Sequence, residues 1–292
     1  MTAQENILSI DVEDYFHVEA FAGVVDRSKW DTYTCRVEAN TRRLLDLLAE
    51  KKTHATFFIL GWVAERFPGL VREIVAGGHE AACHSYWHRL IYSLSPAEFR
   101  SDTKQAKDII EQAAGVAVSG YRAPSYSITR RSLWALDVLA ELGFRYDSSI
   151  FPIRHDIYGI PDAPRMPFRV KTASGGLLVE YPITTFRLGS QNMPVGGGGY
   201  LRIFPFWYTQ MGIGRVQREG LPLIVYLHPW EVDPGQPRIA AGLKSRLRHY
   251  TNLGKMDQRL RRLLDAMPFT CFRDSSGEPA AQEFSLAAGT FG

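Results

Sequence analysis

The feature that most constrains this 292-residue chain is an alternation of short apolar runs with amphipathic stretches. Residues 7–10, 55–60 and 80–83 read as short buried strands, 120–124 as a strand running into a loop, and 223–227 (Leu-Ile-Val-Tyr-Leu) is the clearest strand of all. Between the first two, Leu44, Leu45, Leu47 and Leu48 make an apolar face among Arg42, Arg43 and Asp46. A second helix should run to Ala76 and stop at Gly77-Gly78. Ser95-Pro96-Ala97-Glu98 predicts a third, with Ser95 as cap, Pro96 in the first helical position and Glu98 closing a capping box. Thr129 should cap a fourth that ends at Gly143. Strand–helix repetition of this kind predicts parallel strands with helices outside.

The middle of the chain changes character. Phe168-Arg169-Val170 and residues 177–181 flank Ser174-Gly175-Gly176 and predict a hairpin. Gly196 to Gly199 are four consecutive glycines, readable as a flexible linker or as a loop whose backbone approaches a ligand. Helices are expected at 206–219 and 243–267, a last strand at 269–272, and fraying after Asp274.

Every predicted strand of interest ends on a polar group. Residues 7–10 lead to Asp11, Glu13 and Asp14, 80–83 to His84 and His88, the run at 120–124 carries Arg122, and 223–227 leads to His228. In a parallel barrel all strand C-termini lie on one face, so these groups should converge. His84 and His88 are four apart, which on a helical turn puts both imidazoles on one side. Two neutral imidazoles and one carboxylate leave an open position on zinc for water. A second carboxylate can take that water's proton, a separate histidine can protonate the leaving group, and an arginine can orient the carboxylate. The set suits hydrolysis of an amide or ester.

Bulk properties exclude other classes. With 45% hydrophobic and 22% charged residues the chain can bury a core. Net charge is only +3 and no long Lys/Arg run occurs, so nucleic-acid binding gains no support. Three widely spaced cysteines, Cys35, Cys83 and Cys271, predict neither a disulfide framework nor a CxxC metal pair. The N-terminus lacks the layout of a signal peptide, and no apolar run reaches the ~18 residues of a membrane span. The expectation is a cytoplasmic protein. The basic tail at 244–262 reads as a solvated helix face, or as a surface for an anionic glycan or membrane.

Five motifs, in order, carry a resemblance. They are Ser9-Ile10-Asp11-Val12-Glu13-Asp14-Tyr15-Phe16-His17, His84-Ser85-Tyr86-Trp87-His88, Arg122-Ala123-Pro124-Ser125-Tyr126, Asp147-Ser148-Ser149 and Leu227-His228-Pro229-Trp230-Glu231. Together they resemble the NodB-type polysaccharide deacetylases, carbohydrate esterase family four. The subgroup associated with exosortase and exopolysaccharide clusters is the nearest likeness.

That resemblance implies an α/β fold, a distorted (β/α) barrel with fewer than eight complete units. It implies one deacetylase domain over 1–292, with core motifs at 7–231 and a subgroup extension at 232–275. It implies Zn2+ or another divalent metal on His84, His88 and a carboxylate. Most of the family has two adjacent Asp residues in the first motif, and here Val12 takes the second place. Glu13 is therefore the favoured third ligand, with Asp14 open. Asp11 would be the general base, Arg122 its buttress and His228 the general acid. Asp147 would orient His228 or simply cap its turn. Ser125 would offer a backbone N–H to the oxyanion. Tyr126, Leu227 and Trp230 would contact substrate.

The implied reaction is removal of N-acetyl groups from amino-sugar units of a bacterial exopolysaccharide or its precursor. Exopolysaccharide-assembly proteins at the inner membrane are the implied partners. An O-acetyl esterase or small-amide hydrolase on the same site, or a glycan-binding protein with a degenerate site, are the rival expectations.

Overall fold

The computed structural model describes residues 5–173, 175–275, 283–285 and 290–291. Ser174, one of the expected turn residues, and most of the stretch expected to fray after Asp274 lie outside the described residues.

The first half follows the expected repeat. β1 (Ile7–Val12), β2 (Thr56–Ile59), β3 (Glu80–Cys83), β4 (Gly120–Tyr121) and β5 (Tyr146–Asp147) pair side by side in parallel. They alternate with α1 (Val37–Glu50), α2 (Gly61–Arg66), α3 (Pro68–Ala76), α4 (Pro96–Ala114) and α5 (Trp134–Glu141). β1 is buried on both faces, as a strand between two layers of packing must be. The α4 start forms a full capping box, with Glu98 N–H donating to Ser95 Oγ and Ser95 N–H donating to Glu98 Oε2 at 2.8 Å. Gly115 ends α4 at φ +70°.

The second half completes the sheet. β6 (Phe168–Lys171) and β7 (Leu177–Glu180) form the expected antiparallel hairpin, and β7 pairs in parallel with β5. A small hairpin of β8 (Thr185–Leu188) and β9 (Gln191–Pro194) leads into α6 (Gly198–Ile203) and α7 (Phe206–Arg218). β10 (Ile224–Leu227) returns beside β1 in parallel. α8 (Leu243–Tyr250) and α9 (Leu253–Ala266) follow, then β11 (Glu283–Ser285) and β12 (Thr290–Phe291) at the far edge. Among the described residues the parallel strands run β10-β1-β2-β3-β4-β5-β7, fewer than the eight of a complete barrel. Thr184 spans the remaining gap: its hydroxyl accepts from Ile224 N–H at 2.6 Å. Tyr226 N–H donates to Gly196 O at 2.8 Å on the same seam. No helix among the described residues is long and apolar enough to cross a membrane.

Several expectations need correction. The helix expected from Thr129 begins only at Trp134, because Ser132 Oγ takes the Thr129 N–H and donates to Ser127 O, closing a turn instead. The long tail helix is two helices, broken at Asn252, whose φ is +56°. Of the strand expected at 269–272, only Thr270 forms a bridge, to Ile7. The glycine run is not a linker. A Cβ on Gly196 would lie 2.4 Å from Ile224 O, and one on Gly198 would lie 2.0 Å from Glu231 Oε2. These glycines permit close packing against β10 and the turn that follows it.

Candidate active site

The C-terminal ends of the parallel strands open into one cleft of about 210 Å3, lined by Asp11, Glu13, His84, His88, Tyr126 and His228, with Ser125 and Trp230 also on its wall. The polar ends seen along the sequence converge because parallel pairing aims every strand C-terminus at the same face.

One pair is built on an ion bridge in the barrel interior. Asp11 Oδ1 accepts from Arg122 Nη1 at 2.7 Å, and both side chains are buried. Arg122 is fixed on every side. The same Nη1 donates to Ser9 Oγ at 2.7 Å, Nε to Ser148 O at 3.0 Å and Nη2 to Ser148 Oγ at 2.9 Å, while the guanidinium lies over the Phe58 ring. A buried guanidinium with all these acceptors holds one geometry. Asp11 is thereby held in one orientation.

The second cluster is Glu13, His84 and His88, whose donor atoms all lie within 4.8 Å of one another. Glu13 Oε2 is 2.7 Å from His88 Nε2, yet this oxygen has no partner in hydrogen-bonding geometry. Two buried groups that close without donor–acceptor alignment are arranged toward a common third point, as ligands of a cation are. His84 Nδ1 lies 2.8 Å from Arg122 O, which fixes the tautomer with the proton on Nδ1 and leaves Nε2 for the cleft. Burial lowers the His84 pKa to about 4, aided by His88, so the ring is neutral at pH 7. Burial pushes the Glu13 pKa up, but the neighbouring histidines, His88 first and then His228, outweigh it and hold the carboxyl well below its ordinary range. Two imidazoles and a carboxylate are a donor set for zinc or a similar divalent ion.

The histidine pair is not helical, contrary to the expectation from its spacing. Ser85 and His88 have φ of +69° and +50°. Asp102 on α4 holds this strained loop: it accepts from Ser85 Oγ at 2.5 Å and Tyr86 N–H at 2.8 Å, and pairs with Arg89 at 3.1 Å. Ser125 and Tyr126 are also left-handed, at φ +51° and +53°. Left-handed non-glycine residues thus gather in the two loops that border the cleft, where strain positions groups.

Asp14 does not join the ligands. Its carboxylate accepts backbone N–H from Tyr15, Arg36 and Val37, which commits it to anchoring the start of α1. Burial outweighs those bonds and raises its pKa to about 6. Asp147 does not orient His228. It bonds Ser149 Oγ at 2.5 Å and stands beside Glu180 across the β5–β7 register. The partner of His228 is Glu231, whose Oε2 lies 3.1 Å from Nδ1. Glu231 also accepts from Arg202 Nε at 3.1 Å, and both are buried. His228 Nε2 then faces Glu13 Oε1 at 3.5 Å and Asp11 Oδ2 at 3.9 Å. Burial lowers the His228 pKa, but Glu231, Glu13 and Asp11 together lift it to about 9.

Trp230 stacks on His228 and donates from Nε1 to Glu13 Oε1 at 3.2 Å, so it positions both. Leu227 is fully buried behind the cleft rather than on its wall. Tyr126 is on the wall, and its hydroxyl is buried with no partner. A buried hydroxyl without a partner is costly unless a ligand completes it. Sequence reasoning missed Asp102, Arg202 and the role of Glu231. Only Glu231 left a signal, as the acid three residues after His228.

A family model described as polysaccharide deacetylase matches residues 28–146, and one described as a domain of unknown function (DUF3473) matches 148–276. Over 98 residues the chain is 34% identical to a peptidoglycan-N-acetylglucosamine deacetylase of Bacillus cereus, covering 33% of this chain and 36% of the relative. Over 100 residues it is 34% identical to a chitooligosaccharide deacetylase of Bradyrhizobium, covering 34% of this chain and 43% of the relative. The chain thus spans less than half the length of these relatives. Its fold is like the crystal structure of a putative polysaccharide deacetylase from Mycobacterium smegmatis, with a TM-score of 0.56 at 20% identity, covering 92% of this chain and 94% of the other.

Proposed function

From the premise that this chain carries a polysaccharide deacetylase domain, we propose that it is a metal-dependent hydrolase of N-acetyl groups on amino-sugar units of a glycan. The observation that carries this reading is the convergence of Glu13, His84 and His88 beside the Asp11–Arg122 pair and His228. Relatives named for N-acetylglucosamine polymers support the substrate class. We read the chain as one domain, since β10, from the second matched region, pairs with β1.

Glu13, His84 and His88 would hold the divalent ion, with zinc the expected choice. When bound there, such an ion polarises the acetamide carbonyl and lowers the pKa of a water. Asp11, held in place by its ion pair with Arg122, takes the proton of the attacking water. His228, protonated and aimed by Glu231, gives a proton to the amine nitrogen as the C–N bond breaks. The products are acetate and the free amine. Tyr126 Oη completes its hydrogen bonding with the substrate, and the Ser125 backbone N–H serves the oxyanion. Trp230 keeps Glu13 and His228 in register.

The finer reading is that the glycan is a bacterial exopolysaccharide or its precursor, handled in the cytoplasm beside assembly proteins at the inner membrane. The test combines metal analysis of the purified protein with acetate release from oligomers of N-acetylglucosamine. Stoichiometric metal and acetate release support the reading. Bound metal with release only from O-acetylated sugars would transfer the protein to the esterases. Absence of both would leave a glycan-binding protein.

A further inference from the structure

Large apolar side chains gathered on a folded surface mark a place where something docks. Among the described residues eight are exposed, and four of them, Ile203, Trp207, Leu243 and Leu247, belong to α6, α7 and α8. Leu243 is 72% and Leu247 57% exposed, one helical turn apart on α8. Lys244 and Arg248 each stand one position further on, so the two pairs form adjoining apolar and basic stripes along the helix. Ile203 lines a cavity together with Arg248, which carries the apolar surface from α8 toward the end of α6. Trp207, 64% exposed, sits in the first turn of α7.

We infer that this face docks on the surface of an anionic lipid bilayer. From Pro234 to Met256 the chain holds Arg238, Lys244, Arg246, Arg248 and Lys255 and no Asp or Glu, five positive charges in a protein whose net charge is +3. Lys244 and Arg248 share Asp156, at 3.5 and 3.8 Å, so the pair stays net positive. A basic helix with a leucine stripe and a neighbouring Trp has the make-up of an interfacial helix. Its apolar side chains enter the acyl boundary while the long cationic ones reach the headgroups. A hydrated anionic glycan would meet the cations but leave the leucines in water. A second copy seated on the same face would set these cations against each other.

The helix is held firmly from within. His249, its buried residue, stacks on Trp230 at 4.1 Å and lies 2.6 Å from Gln236 Oε1. Arg202 Nη2 donates to Arg248 O at 2.7 Å, from the same guanidinium that holds Glu231. Arg248 and His249 also line the cleft. α8 is therefore a rim of the cleft, and docking by its outer stripes sets the cleft mouth beside the headgroups. Access for a bilayer-anchored glycan depends on the deacetylase reading; docking itself does not.

The experiment sediments the purified full chain with vesicles of phosphatidylcholine, with and without phosphatidylglycerol, and measures partitioning. The wild type should bind the mixed vesicles, and more weakly at high salt. Lys244→Gln/Arg246→Gln should weaken partitioning by roughly tenfold or more, since each cation near an anionic leaflet counts for about fivefold. Leu243→Ser/Leu247→Ser keeps every charge and should also weaken it by roughly tenfold. All four side chains are exposed, so neither variant should alter thermal unfolding or acetate release from soluble N-acetylglucosamine oligomers. Absence of wild-type binding to the mixed vesicles overturns the docking surface. Binding that falls in the charge variant but not in the leucine variant also overturns it, and leaves the basic stripe to a soluble polyanion such as an anionic glycan. Vesicle binding without acetate release would remove the deacetylase reading and keep the docking.

Discussion

Glu231 Oε2 accepts twice from His228, from the backbone N–H and from Nδ1, each at 3.1 Å. The second carboxylate oxygen is tied to Arg202. His228 is therefore aimed by its own turn rather than by the distant Asp147. Replacing Glu231 with Gln keeps the shape and removes the charge that raises the His228 pKa. Expected is a 10- to 100-fold fall in kcat, roughly the cost of losing such a supporting carboxylate. The basic limb of the pH–rate profile should also move to lower pH, because the acid loses its proton sooner. Metal content should stay unchanged, which separates this role from ligation.

Gly198 owes its identity to the same carboxylate. With a Cβ at 2.0 Å from Glu231 Oε2, Gly198→Ala must displace either the helix start of α6 or Glu231. The expected cost is about 1–3 kcal/mol of stability, as usual for overpacking, with loss of turnover. Gly199→Ala, one residue on, meets open space and should leave the melting temperature unchanged. Thermal unfolding of both variants checks the contrast.

Glu13 and Asp14 should separate cleanly. Glu13→Ala removes a member of the cluster and should abolish metal retention after dialysis. Asp14→Ala removes acceptors from the Arg36 and Val37 N–H groups and should cost about 1–2 kcal/mol of stability while the metal stays. Metal analysis with chemical denaturation distinguishes them. Metal lost from Asp14→Ala but kept in Glu13→Ala would reverse the assignment.

The contrast shows what the sequence made legible. Strand ends could be read from apolar runs that stop on Asp11, His84, Arg122 and His228, because parallel pairing turns a linear pattern into one face. The α4 capping box was legible because its residues are three apart. The bonds that shape the site are not local. Asp102 reaches Ser85 across 17 residues, and Arg202 reaches Glu231 across 29. Nothing in either pattern marks the partner. The four glycines were ambiguous for the same reason, since what excludes their side chains is Glu231 and β10.

Acid sensitivity should arise away from the site as well. His79 is buried, and its Nδ1 accepts the Ala55 N–H at 3.2 Å, so it must stay unprotonated there. Burial, with His54 and Arg273 nearby, lowers its pKa to about 4 from 6.5. The unfolded chain therefore binds a proton that the folded one refuses between these values. Stability should be full above pH 6.5, fall as the pH drops toward 4, and level off below. From pH 7 to 4.5 this one group accounts for about 2–3 kcal/mol, because each pH unit over which the two states differ by one proton contributes about 1.4 kcal/mol. In His79→Gln that share of the acid slope should vanish, whatever the substitution costs at pH 7. Urea unfolding at a series of pH values measures it, and a slope identical to wild type would show that His79 titrates normally in the folded protein.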